Sequence, residues 1–236
     1  MDPGRRFSTS RRVRLGDVTP SGRLRLDAVA RYLQDVAFDD GEDAGVKGTE
    51  RWILRRLAID VTSLPRFTDM VDLTTWCSGA GPRWAERRTT ITAGTPLTPG
   101  TGATAAIETT AIWVYVDERG RPSRLPPEFF EHWGTSAGDR KVSARLSHPD
   151  PPDGAPVART WPLRRTDFDI VGHVNNAAYW ETVEELVAVG PGTWEIEFRD
   201  EVPRGTEAVD VVVDGSALWW TTSGRVHASA RARPRD

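Results

Sequence analysis

The sequence predicts an α+β protein built as two tandem copies of one unit, each an antiparallel sheet around one long helix. Three observations carry this. The chain repeats itself once, with two anchors in the same order. Each copy holds a segment whose apolar residues recur at helical spacing. Each also holds several stretches that alternate apolar and polar with period two, the mark of half-buried strands. A sheet with one apolar face needs a cover, and each copy has one strong helix to supply it.

Taken in order, each unit reads strand, tight turn, helix, then several strands. The first turn is Asp17 to Gly22, and Leu26, Val29, Leu33, Val36 and Ala37 mark the helix after it. Strands follow where Leu57, Ile59 and Val61 alternate with Ala58 and Asp60, and where Val71 and Leu73 alternate with Asp72 and Thr74. Asp117 to Ala155 is rich in Pro, Gly, Asp and Arg and reads as a connector with a short ordered piece around Phe129 to Trp133. The second turn is Asp167 to Gly172, followed by a helix over Ala177 to Val189. Later strands are marked by Ile196 and Phe198, by Val209, Val211 and Val213, by Ala217, Trp219 and Thr221, and by Val226, Ala228 and Ala230. The turns repeat at an offset of 150. Pro65 to Asp72 repeats as Pro203 to Asp210 at an offset of 138, with five of eight positions identical. The first copy therefore carries 12 extra residues, around Asp40 to Leu54. This divides the chain into a unit at 1–140, a linker at 141–156 and a unit at 157–236.

Composition narrows the function classes. A length of 236 residues is enough for a real core. The net charge is −3, which argues against a nucleic-acid partner, and among the basic residues only Lys47 and Lys141 are lysines. A lone cysteine, Cys77, allows no intrachain disulfide and fits a cytoplasmic protein. No apolar run approaches the roughly 20 residues of a membrane span. Phosphate-loop, metal-ligand and G-x-S-x-G patterns are absent, so no cofactor and no metal is expected.

The chemistry concentrates in Asp167 to Asn176, which packs two carboxylates, a glycine, an imidazole and two carboxamides just before a helix. Such a turn suits an ester or thioester carbonyl. Asp169 is placed to deprotonate or orient a water, and His173 to share that proton. Gly172 and His173 offer amides that read as the free N–H groups of a helix start, an oxyanion site. Asn175 reads as a turn-holder beside them, and Asp167 as a cap, because Asp17 matches it. The first copy has Thr19 where the second has Asp169, and Arg23 where it has His173. A requirement of the fold alone would have kept the acid and imidazole in both copies. The second half is therefore expected to catalyse and the first to bind acyl chain or partner.

D-x-D-x-x-G-H-V-N-N before the second helix, in a duplicated chain, resembles the hotdog fold in its double form. Specifically, the chain resembles the acyl-acyl carrier protein thioesterases, bacterial relatives of the plant FatA and FatB enzymes. The matching pieces include Tyr32-Leu-Gln-Asp-Val-Ala37, Trp52-Ile-Leu54, Gly172-His-Val-Asn-Asn-x-x-Tyr179 and Glu197-Phe-Arg-Asp-Glu201. The resemblance implies hydrolysis of a fatty acyl-acyl carrier protein to free fatty acid and holo-carrier, with that loaded carrier as the partner. It places the family's Asp on Asp169, its His on His173 and its Glu on Glu201. The family's functional Asn falls on Val171 and its cysteine on Val202, so a thiolate mechanism is not expected. Trp52 and Trp180 are candidates to line an acyl tunnel.

Rival functions stay open: an acyl-CoA thioesterase, a hotdog dehydratase, and a non-catalytic acyl- or carrier-binding protein, for which Val171 speaks. Dehydratases resemble D-x-N-P-x-H, and no Asn-Pro stands there. His132, His148 and His227 lack a partner pattern and read as ordinary surface or strand residues; Cys77 reads as a small buried one. Oligomeric state is left open, a homodimer included.

Overall fold

A computed structural model describes residues 4–46, 51–93 and 106–234. The first half runs β1 (Phe7–Arg12), a 3-10 turn (Leu15–Asp17), α1 (Leu26–Asp43), β2 (Trp52–Ser63), β3 (Met70–Ala80), β4 (Trp84–Ala93) and β5 (Ala106–Tyr115). After α2 (Pro127–Ala137) the second half runs β6 (Val157–Pro162), a 3-10 turn (Arg165–Asp167), α3 (Ala178–Leu186), β7 (Gly192–Phe198), β8 (Ala208–Asp214), β9 (Ala217–Thr222) and β10 (Arg225–Pro234).

Among the described residues, ten strands form one sheet in the order β1-β3-β4-β5-β2-β7-β10-β9-β8-β6. The order reads the same from either edge if β1 answers to β6, β2 to β7, β3 to β8, β4 to β9 and β5 to β10. The duplication read from two anchors thus extends to every strand. The halves meet where β2 pairs antiparallel with β7, from Arg56↔Glu197 to Val61↔Gly192. α1 and α3 lie on one face, and a single core under them spans both halves. It includes Val29, Val36, Ile59, Leu73 and Ile91 from the first, and Trp180, Val183, Ile196, Leu218 and Trp220 from the second. Each such aliphatic side chain contributes about 1.5–3 kcal/mol on burial.

The two helices run antiparallel. Glu184 of α3 reaches the start of α1, and Gln34 of α1 reaches Asn175 ahead of α3. α1 has Arg25 at its N-cap, with no side-chain acceptor for the first amides. Glu184 supplies one from the other half: its Oε1 accepts from Leu26 N at 2.7 Å, and its carboxylate takes the Arg23 guanidinium at 3.1 and 2.7 Å. Gln34 occupies the matching place in the repeat and donates to Asn175 Oδ1 at 3.1 Å.

Several expectations change. α1 runs on to Asp43, past Ala37, because Asp40 is buried and accepts from Arg5, Arg87 and Trp133. α3 stops at Leu186, short of the expected Val189; Val187 is extended and Pro191 follows. The helix difference explains most of the extra residues of the first half, although 47–50 lie outside the described residues. The short ordered piece around Phe129 to Trp133 is the full helix α2, opened by Pro127 and closed by Gly138. It packs against β3 through Phe129 and Trp133, with Cys77 beneath.

The anchor at offset 138 also needs correction. The strands do align there, since Ser10↔Asp72 answers to Thr160↔Asp210. The turn before them aligns at 137: Arg23 bridges Arg66 as His173 bridges Pro203, and Thr68 has φ 75° where Gly205 has φ 98°. One residue is inserted between turn and strand in the second half. The identities of Pro65 with Pro203 and Arg66 with Arg204 are therefore not structural equivalences.

Residues 141–156 contain no helix or strand, yet they are docked strand by strand across the face opposite the helices. Just before them, Arg140 reaches Ser78 of β3 and Glu86 of β4. Val142 O accepts from Trp84 of β4 and Ser143 O from Arg56 of β2. Ser147 and His148 amides donate to the fully buried Glu197 of β7. Pro149 O accepts from Trp219 of β9. His148 is neither a surface nor a strand residue: it is buried, with Nε2 2.9 Å from Glu195 and Nδ1 3.1 Å from Ser229 Oγ.

Candidate active site

The two turns share one backbone. Arg14 N donates to Asp17 as Arg164 N donates to Asp167, so both aspartates cap, as expected of Asp167. Thr19 N donates to Arg23 O as Asp169 N does to His173 O; Leu24 N donates to Pro65 O as Val174 N does to Val202 O. Gly22 and Gly172 hold φ 82° and 95°, which a side chain would strain. What differs is what hangs on this scaffold.

Asp169 Oδ1 accepts from three consecutive amides, Val171 at 2.9 Å, Gly172 at 3.0 Å and His173 at 3.2 Å. This corrects the oxyanion assignment. The Gly172 and His173 amides are occupied by Asp169, and they lie in a turn bridged to Pro203 rather than at the start of α3, which begins at Ala178. Asn175 is the turn-holder: its Oδ1 accepts from Ala177 N at 2.8 Å and from Gln34. The amide of Asn176 makes no hydrogen bond among the described residues.

The turn brings His173 to Glu201. His173 Nε2 stands 3.5 Å from Glu201 Oε2, with the side chains 37% and 64% exposed, so water reaches both. Glu201 follows β7 on a segment held by His227. His227 sits where β10 shifts register between Val226 and Ala228, and its carbonyl accepts from the Arg199 and Asp200 amides. Its buried ring places Nδ1 3.0 Å from Glu201 O and Nε2 2.6 Å from Thr222 Oγ1, and burial pushes its pKa down. The bulge residue is legible only from the register, which is why the sequence reading passed over it. Val202, at the family's cysteine position, is buried. Cys77 lies in the other half under α2, its thiol pKa pushed up by burial.

In the first half the same position points elsewhere. Arg23 spans to Glu184, and the Thr19 hydroxyl lies 2.9 Å from Ser21 Oγ. That half offers a cavity under α1, lined by Ala30, Leu33, Leu54, Leu57, Ala111 and Trp113, with Gln34, Arg87, Thr89, Thr109 and, from the second half, Asn176. It is narrow, with room for about one water. Trp52 does not line it; its ring packs on Tyr115 at 5.2 Å and Phe129 at 5.7 Å beside α2, and Trp113 takes the cavity wall. Trp180 is a fully buried core residue. A His148, Glu195 and Glu197 cluster has metal-ligating residue types, but Glu197 already accepts three donors from Ser147 and His148.

One antiparallel sheet over two antiparallel helices, with an acid–imidazole turn at one end of the helix pair, defines a double-hotdog protein of the thioesterase type. Residues 4–133 match the family of the acyl-ACP thioesterase N-terminal domain, and residues 152–217 that of the C-terminal domain. The chain belongs to the acyl-ACP thioesterase family, a family of thioester hydrolases. An uncharacterized protein of Mycobacterium tuberculosis is 29% identical over 84% of this chain and 79% of its own. A chloroplastic acyl-acyl-carrier-protein hydrolase of Cuphea viscosissima is 25% identical over 54% of this chain and 31% of its own. The fold is shared with the 12:0-ACP thioesterase of Umbellularia californica, at 21% identity, 98% coverage of both chains and a TM-score of 0.76. It is shared too with an acyl-ACP thioesterase of Bacteroides thetaiotaomicron, at 16% identity, 96% coverage of both and a TM-score of 0.78.

Proposed function

We propose that the protein hydrolyses the thioester of an acyl chain carried on acyl carrier protein, releasing free fatty acid and the carrier thiol, at a site built from Asp169, His173 and Glu201. The observation that carries this is the approach of His173 Nε2 to Glu201 Oε2 at 3.5 Å on an accessible turn whose first-half counterpart has neither group. His173 takes a proton from water, the water oxygen bonds to the carbonyl carbon, the C–S bond breaks, and the thiolate recovers the proton. Glu201 orients the imidazole and balances its positive charge while it holds that proton. Asp169 holds the turn through Oδ1. Its Oδ2, unbonded among the described residues, is the acceptor left to steer the water. The Asn176 amide, unpaired at the cavity wall, replaces Gly172 and His173 as donor to the developing oxyanion.

The acyl chain lies in the first half, entering past Asn176 and Gln34 and parting α1 from β2 and β5. Steady-state hydrolysis of an acyl-ACP panel, with matched acyl-CoA controls, tests the reading. Release of fatty acid from ACP at a kcat/KM well above that from CoA supports it. Equal rates would make this an acyl-CoA thioesterase, and no hydrolysis of either would leave a binding protein. The site is expected to act in the cytoplasm; no helix among the described residues is long and apolar enough to cross a membrane.

A further inference from the structure

The cavity under α1 changes character along its length. Beside the junction of the halves its walls are Leu54 and Leu57 of β2, Ala30 and Leu33 of α1, and Ala111 and Trp113 of β5. On the far side they are Thr109, Thr89 and Arg87. Thr75, Thr89 and Thr109 stand side by side on β3, β4 and β5 and are 0%, 2% and 3% exposed. The next inward-facing row on those strands is Leu73, Ile91 and Ile107. A band of hydroxyls thus crosses an otherwise aliphatic floor.

The bonds inside the band define what it can still bind. Thr109 Oγ1 donates to Thr89 O, Thr89 Oγ1 to Thr75 Oγ1, and Thr75 Oγ1 to Arg88 O, each at 3.0 Å. Thr75 also accepts from Arg87 at 3.1 Å. All three protons are committed within the protein. The two hydroxyls on the cavity wall, Thr89 and Thr109, keep lone pairs. An alkyl end pressed against them would leave buried acceptors unpaired, and a keto oxygen would meet acceptors of its own kind at both threonines, with Arg87 Nη1 already given to Asp40 and Thr75. A hydroxyl would donate.

Given the reading of the protein as an acyl thioesterase, we infer that its substrate is a medium-length acyl chain bearing a hydroxyl near its far end, received by Thr89 and Thr109. The direction follows from the site. Asn176 and the catalytic turn belong to the second half, so the thioester sits at the junction and the tail points across β5 toward β4. From β2 to β4 is two strand spacings, about 10 Å, which places the hydroxyl several carbons from the thioester.

The test compares decanoyl-ACP with ω-hydroxydecanoyl-ACP. kcat/KM should favour the hydroxylated chain by about tenfold, the ratio should fall to near one in T89V and T109V, and T109S should retain it. A wild-type ratio of one or less overturns the inference while leaving thioester hydrolysis standing. Binding of free decanoate and ω-hydroxydecanoate to the H173A protein, measured by calorimetry, reads the pocket without catalysis. Tighter binding of the hydroxylated acid to H173A, together with a wild-type protein that hydrolyses no acyl-ACP, would uphold the pocket and sink the thioesterase reading. Equal binding of the two acids counts against the inference whatever the hydrolysis assay shows. Should T109V fail to fold, T89V and T109S decide between these outcomes.

Discussion

The proposed site gives Asp169 two duties, and two substitutions separate them. Asp169→Asn keeps an acceptor for the three amides and removes the charge; we expect a loss of turnover of about a hundredfold with the melting temperature nearly unchanged. Asp169→Ala removes the acceptor as well and should cost about 1–2 kcal/mol of stability, seen in urea titration. Asp169→Asn at full activity would mean the carboxylate serves the turn alone. His173→Ala should lose about a hundredfold or more, and Cys77→Ala almost nothing, since its buried thiol touches no group of the site. A folded but inactive Cys77→Ala protein would overturn the water-based mechanism. His227 makes a pH prediction. Burial lowers its folded pKa below the unfolded value of about 6.5. Below that pH the unfolded chain takes the proton first, so the stability contributed by neutral His227 is complete above about 6.5 and lost as pH falls from there toward the folded pKa. His227→Gln should flatten the melting temperature against pH between about 7 and 5 relative to wild type; an unchanged slope would count against it. At this scale the sequence showed which residues to suspect, because acids and an imidazole are conspicuous beside a turn glycine. It could not show which amides Asp169 would occupy, since that depends on how the turn closes on itself.

Among the elements, the proposed function divides the work between the two helices. Bulk added at Leu33 or Ala30 of α1, such as Leu33→Trp, should shift the preferred acyl chain length shorter while hydrolysis persists. Changes in α3, such as Thr182→Ala, should lower the rate across all lengths. Chain-length profiles altered by α3 and never by α1 would refute that division. Glu184→Ala leaves Arg23 and the first amide of α1 without their shared acceptor and should cost about 2 kcal/mol, measured by chemical denaturation. The β2–β3 turn offers a gain. Thr68 is β-branched at φ 75°, where the other half has Gly205. Thr68→Gly should raise stability by about 0.5–1 kcal/mol, the left-handed penalty relieved less the backbone entropy of glycine. Helix starts and strand alternation were legible in sequence because period and turn chemistry are local. The end of α1 was not, because a polar run from Asp39 to Asp43 stays helical only through the partners Arg5, Arg87 and Trp133 give Asp40.

Across the whole molecule, the halves share one sheet, one core and the strap of residues 140–149 on the outer face. Calorimetry should therefore show one cooperative transition, and residues 157–236 alone should fail to fold, having lost β2 from the edge of β7. Two well-separated transitions would contradict this. The duplication was readable from the chain because two turns kept their Asp and Gly. The strap was not, since a stretch rich in Pro, Gly and charge looks like slack until its carbonyls are seen paired with Trp84, Arg56 and Trp219. The mirror order of the strands has a consequence for stoichiometry. When two identical units associate, any substitution appears at both ends of their interface at once, and neither end can specialise. Here Thr19 and Asp169, and Arg23 and His173, are separate codons. One end of the helix pair was free to become a clasp while the other kept an acid and an imidazole, and on the proposed function an active-site titration should count a single equivalent per chain where a pair of identical units would count two.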